Sequence, residues 1–129
     1  MRRSISTRCT GALTAVLLSL IATACFAANQ PISATEAAQH VGERETVCGS
    51  VASTHFASQS RGQPTFLNLD KPYPSQIFTV VIWGSARRQF SDPPEMYYSH
   101  KDVCVNGVIK NYRGTPEIVV KSPSQIYLK

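Results

Sequence analysis

Two short stretches of this chain repeat one pattern. Glu45-Thr46-Val47-Cys48-Gly49-Ser50-Val51 and Asp102-Val103-Cys104-Val105-Asn106-Gly107-Val108-Ile109 each alternate apolar with small or polar residues, and each carries one cysteine out of phase with its valines. Side chains along a strand point alternately to its two faces. Val47, Gly49 and Val51 therefore share one face and Cys48 takes the other. Val103, Val105 and Ile109 point inward and Cys104 outward. If the two strands are neighbours, their cysteines meet on the same outer face. The pattern predicts a small exported β-barrel stapled across two of its strands by a Cys48–Cys104 disulfide.

Residues 1–27 read as a secretory signal: Arg2, Arg3 and Arg8, then an apolar run from Ala12 to Ala24, then small residues flanking a cleavage site after Ala27. The run is short for a spanning helix. The alternative is a lipoprotein anchored through Cys25, but Ala22-Thr23-Ala24-Cys25 lacks the usual lipobox leucine. The expected location is the periplasm or the medium, with no membrane span once the signal is cleaved.

Removal of the signal changes two arguments. The whole chain carries 13 Lys+Arg against 8 Asp+Glu, a net charge of +5. Three arginines leave with the signal, and the remaining 10 basic and 8 acidic residues balance to +2. Much of the case for a polyanionic partner leaves with them. Of the 4 cysteines, Cys9 also leaves, and Cys25 with it unless lipidated, so that Cys48 and Cys104 remain as an even pair in an oxidising compartment. A redox or metal pair would need a Cys-x-x-Cys motif or a nearby His/Cys cluster, which the sequence lacks.

Residues 28–129 read as one domain. Ser33 to Gly42 resembles a short helix, with Ser33 and Glu36 as a capping box and Gly42 as its stop. Five strand-like segments follow. They run from Arg44 to Phe56, Thr65 to Leu69, Gln76 to Trp83, Asp102 to Tyr112 and Glu117 to Lys121, with Ile126 to Leu128 extending the fifth. Ser58 to Pro64 and Asp70 to Pro74 are turns. Ser85 to Phe90 can form a short helix, Asp92-Pro93-Pro94 a turn. Phe90, Met96, Tyr97 and Tyr98 are expected to close one end of the barrel.

Five strands with a helix between the third and fourth match the OB-fold pattern. The chain resembles the small exported bacterial OB-fold domains of the nucleic-acid-binding type, related to OB modules found beside secreted nucleases. The pieces that carry the likeness are Val41-Gly42, Val47 to Val51, Pro64 to Asp70 with Tyr73-Pro74, Phe78 to Gly84, Val105 to Ile109, Tyr112 to Gly114 and Pro116 to Val120. The resemblance covers about Ile32 to Ile126, and a domain that stands alone, with no nuclease fused to it, is expected. It implies a mainly β, five-stranded Greek-key barrel with a short N-terminal helix and a short helix between strands three and four. Function does not follow from fold alone.

OB-folds grip single strands on the face of strands two and three, with aromatic stacking and flanking cations. By parity, Phe66 and Asn68 point away from Leu67 and Leu69, and Trp83 away from Phe78, Val80 and Ile82. Tyr73, Arg61 and Lys71 sit in adjoining loops; Lys110, Tyr112 and Arg113 lie at the turn before the fifth strand. These nine residues are the candidate ligand contacts. The competing reading is that Phe66 and Trp83 pack against a second face of the sheet. Arg87 and Arg88 read as a solvated helix face.

His40, His55 and His100 are scattered, and no two carry ligand spacing with a cysteine or carboxylate, so no metal site or other cofactor is expected. No paired acids, nucleophile elbow or phosphate-binding glycine loop appears, which argues against an enzyme. Two functions remain. The first is an exported monomeric module that binds single-stranded nucleic acid, in a manner that weakens steeply with salt. The second is an envelope accessory protein that takes a peptide, a protein partner or a small ligand in the same groove.

Overall fold

One long strand organises the sheet. The computed structural model describes residues 30–129, so the signal segment, Cys9 and Cys25 lie outside the described residues. The strands are β1 (Ile32–Ser33), β2 (Arg44–Phe56), β3 (Thr65–Leu69), β4 (Phe78–Ile82), β5 (Asp102–Val108), β6 (Lys110–Tyr112), β7 (Thr115–Val119) and β8 (Ile126–Leu128). Two one-turn helices, α1 (Gly84–Arg87) and α2 (Pro94–Tyr97), separate β4 from β5. The first half of β2 pairs antiparallel with β5 and its second half with β3.

A bulge at Ala52 makes that change of partner. Val51 faces Leu69 but Ser53 faces Asn68, so one residue of β2 is extra. An extra residue bends the strand and reverses its alternation. Val47 and Val51 therefore point into the core before the bulge, while Ser53 and His55 share the outer face with their partners Asn68 and Phe66 after it.

The fold is a mixed, mainly β sheet of eight strands, in the order β6-β7-β4-β3-β2-β5-β8 with β1 added parallel to β2. This differs from the five-strand expectation in three ways. The predicted fourth strand is split at Ile109, whose buried side chain separates β5 on β2 from β6 on β7. Ile126–Leu128 does not extend the fifth strand but pairs antiparallel with β5. The predicted N-terminal helix is β1 followed by a single 3-10 turn at Ala37–Gln39. Its capping chemistry is present: the Ser33 N–H donates to Glu36 Oε2 at 2.7 Å and the Glu36 N–H to Ser33 Oγ at 3.3 Å. Backbone pairing of Ile32 and Ser33 with β2 takes residues that a longer helix would need.

The core is the shared inner face. Leu67, Leu69, Phe78, Val80, Ile82, Val103, Val105, Ile118 and Val120 are fully buried there, each contributing about 1.5–3 kcal/mol relative to exposure. Gly107 is required by close approach. A Cβ at this position would lie 2.6 Å from Ile118 Cγ2 on β7, well inside contact distance. Ala86, Pro94 and Tyr98 seal one end, with Phe90 edge-on to Tyr98. Met96 does not join them; it is 74% exposed, and Tyr97 is exposed as well. Proline at the first position of α2 turns what reads as a plain turn into a helical one. Arg87 is not a solvated cation. Its Nη2 donates to Glu95 Oε1 at 2.7 Å and its guanidinium stacks 3.9 Å from the Phe56 ring centroid, tying α1 and α2 to β2.

Cys48 and Cys104 are direct cross-strand partners and form a disulfide. The bond lies on the outer face, yet Cys104 is only 3% exposed. Tyr127 of β8 pairs with Cys104 and Ser33 of β1 with Cys48, so added strands flank the bridge on both sides.

Candidate binding groove

The outer face of β2, β3, β4 and β7 carries a groove of about 720 Å³. Its floor is one row of register partners: Ser53 opposite Asn68, Asn68 opposite Thr79, Thr79 opposite Glu117, and Glu117 opposite Lys110 on β6. The first three are joined by hydrogen bonds. Asn68 Nδ2 donates to Ser53 Oγ at 3.1 Å, and Thr79 Oγ1 donates to Asn68 Oδ1 at 3.5 Å. Ser53 Oγ also accepts the Tyr73 N–H at 3.0 Å, which ties the β3–β4 loop to the floor. Buried polar groups need such partners.

Two tyrosines and an arginine rise above this floor. Tyr73 is 73% exposed and Tyr112 57% exposed. Arg113 follows Tyr112 in the two-residue turn between β6 and β7, with its guanidinium 5.2 Å from the Tyr112 ring centroid. Arg113 and Gly114 both have positive φ, 51° and 88°, as a tight hairpin of the primed type requires. Asn111 Oδ1 braces the turn by accepting the Gly114 N–H at 2.9 Å.

Of the nine candidate contacts, Phe66, Asn68, Tyr73, Tyr112 and Arg113 line this groove. Asn68 is nearly buried and serves as floor structure. Lys110 stands beside the groove as the register partner of Glu117. Arg61, Lys71 and Trp83 are outside the lining. Arg61 belongs to the β2–β3 turn, and the Trp83 ring covers Gly62 in that turn, where a Cβ would approach it to 3.0 Å.

The groove also contains residues the sequence reading passed over. Glu117 faces it because Ile118 and Val120 face the core, a parity visible in the sequence. Burial raises the Glu117 carboxyl above its ordinary range, and the Lys110 charge acts the other way. Gln76 lines the groove with its carbonyl oxygen enclosed and unpartnered. His55 lines it because of the Ala52 bulge, which leaves no simple sequence signal.

A second polar cluster corrects the histidine spacing. His40 Nδ1 lies 2.7 Å from Glu43 Oε2 and 3.8 Å from Glu45 Oε1. Among the described residues this group has the donor set a divalent ion could use, and it does not border the groove. The Glu43 contact raises the His40 ring above its ordinary value.

No protein-family profile matches the chain, and no curated protein matches it in sequence. Solved structures to which the fold is similar include an aspartyl-tRNA synthetase chain from Leishmania major Friedlin, at 14% identity and a TM-score of 0.49, covering 84% of this chain and 22% of that one. Another is an aspartyl tRNA synthetase from Entamoeba histolytica, at 16% identity and a TM-score of 0.43, covering 70% of this chain and 19% of that one. The chain spans about a fifth of the length of each.

Proposed function

We propose that this chain is an exported OB-type module that binds single-stranded nucleic acid in the groove of β2, β3, β4 and β7. Two pairings support a closed OB barrel. The β4–β7 pairing is parallel, whereas the other pairings along the main strand path are antiparallel. β5 and β6 are separated by Ile109 alone, so one nearly continuous segment joins β2 on one side to β7 on the other. The observation that carries the binding reading is the meeting of Phe66, Tyr73, Tyr112 and Arg113 over one polar floor. Bases stack on such rings at about 1–3 kcal/mol each, whatever their sequence.

Fluorescence anisotropy with a labelled thymidine dodecamer tests it. Among the described residues Arg113 is the one Lys or Arg lining the groove, so the salt dependence should be shallower than the steep one expected from the sequence, with a log–log slope of about −0.7 for each phosphate contacted. Absence of binding at low salt ends this reading. The alternative, an envelope accessory protein holding a peptide or small ligand, draws support from Glu117, a carboxylate that repels a polyanion. It predicts no oligonucleotide binding and the capture of an uncharged or cationic ligand instead. Neither reading assigns a catalytic role, and both place the protein in the periplasm or the medium. No helix among the described residues is long and apolar enough to cross a membrane.

A further inference from the structure

The groove lining holds two acceptors that no protein donor satisfies among the described residues. The Asn68 amide and the Thr79 hydroxyl donate within the floor, and Ser53 Oγ already accepts two hydrogen bonds. Those two acceptors are the Gln76 carbonyl oxygen, enclosed without a partner, and the Glu117 carboxylate. Among the described residues no hydrogen bond reaches the Glu117 carboxylate; burial and the Lys110 charge act on it. The Gln76 oxygen is withdrawn from water without a donor, which is costly, and the half-buried Glu117 carboxylate has no protein donor, so both are served by a ligand that brings donors.

Resting on the nucleic-acid reading, we propose that the groove selects guanine, whose N1–H and N2–H₂ donate side by side to the Glu117 carboxylate while the ring stacks against Tyr73 or Tyr112. Two adjacent N–H groups on one edge match the two oxygens of a carboxylate. Adenine and cytosine each place one amino group beside a ring acceptor, and thymine holds one N–H between two carbonyls. None of these can satisfy both oxygens together. The same negative charge turns phosphates away from the floor and toward Arg113 at the rim, so the base points inward. The enclosed Gln76 side chain lies in the same lining and can meet a further polar atom of that base.

The test uses the purified protein and four dodecamers: thymidine throughout, or with one central guanine, hypoxanthine or adenine. Hypoxanthine differs from guanine only in lacking the N2 amino group. Guanine should raise affinity roughly tenfold over thymidine alone, the scale of one good bidentate contact. Hypoxanthine should forfeit most of that gain. Glu117→Gln should erase the difference between the guanine and thymidine probes while melting no lower than the parent protein. Equal affinity for the guanine and adenine probes overturns the guanine assignment and leaves the groove reading intact. No binding to any probe overturns both. Guanine preference that survives Glu117→Gln refutes the role given to this carboxylate.

Discussion

Reducing the Cys48–Cys104 bridge should cost this domain a large part of its stability. The two cysteines are 56 positions apart, and opening a loop of that length returns about 4 kcal/mol of chain entropy to the denatured state. Domains of this size hold only about 5–15 kcal/mol in total. Each kcal/mol moves the melting temperature of a domain of about 100 residues by roughly 4–8 °C, so a drop of about 15–30 °C is expected. The assay is urea unfolding followed by far-UV circular dichroism, for the oxidised protein, the fully reduced protein and the Cys48→Ala/Cys104→Ala variant. The reduced protein and the variant should agree closely. Both should also show a steeper dependence on urea, because the unbridged chain exposes more surface when unfolded. Thiol titration establishes that reduction is complete. An unchanged midpoint in fully reduced protein refutes the argument.

Other perturbations follow from individual contacts. Gly107→Ala should destabilise by about 1–3 kcal/mol, the cost of overpacking a filled core, because the new methyl falls 2.6 Å from Ile118 Cγ2; urea midpoints measure it. Tyr73→Ala and Tyr112→Ala should each weaken binding of the thymidine dodecamer by about 1–3 kcal/mol and leave the melting temperature nearly unmoved, since both rings are exposed. Glu117 binds its proton more tightly in the folded state because burial raises its pKa, against the Lys110 charge. Its contribution to stability is therefore full below the ordinary carboxylate range and is lost as pH rises through the raised value. The groups that face it or share its groove, Lys110, Arg113, His55, Tyr73 and Tyr112, are common to both proteins compared. Glu117→Gln should therefore gain stability over the parent as pH rises toward neutrality, read as the difference between two melting-temperature profiles.

Alternation made much of this molecule legible in the sequence. The faces of Val47 and Val51, of Leu67 and Leu69, and of Phe78, Val80 and Ile82 follow from period two, and so does the meeting of Cys48 with Cys104. Parity alone failed where the backbone departs from a plain strand. The Ala52 bulge puts His55 in the groove, and the break at Ile109 sends one segment to two partners. The destination of Ile126–Leu128 was hidden because three residues carry too little pattern to choose between β7 and β5. Arg87 misled for another reason: its partners Glu95 and Phe56 come from other elements, and local sequence cannot show that a cation will be drawn under a helix. The groove itself was half legible. Its tyrosines and Arg113 stand in recognisable turns, and the Glu117 side chain was readable from its neighbours.

The divided partnership of β2 has a consequence for how the chain assembles. Its second half meets β3 across a short turn, and β4 follows across another, so a three-stranded meander can nucleate from local sequence. Its first half must wait for β5, and β4 must wait for β7. Such distant pairings are slow to close. A chain threaded out of a ribosome or translocation channel from its N-terminus thus exposes two unfilled backbone edges until its last third emerges. The C-terminal third is in this sense the lock of the structure, and shortening it would leave a sticky fragment rather than a smaller domain.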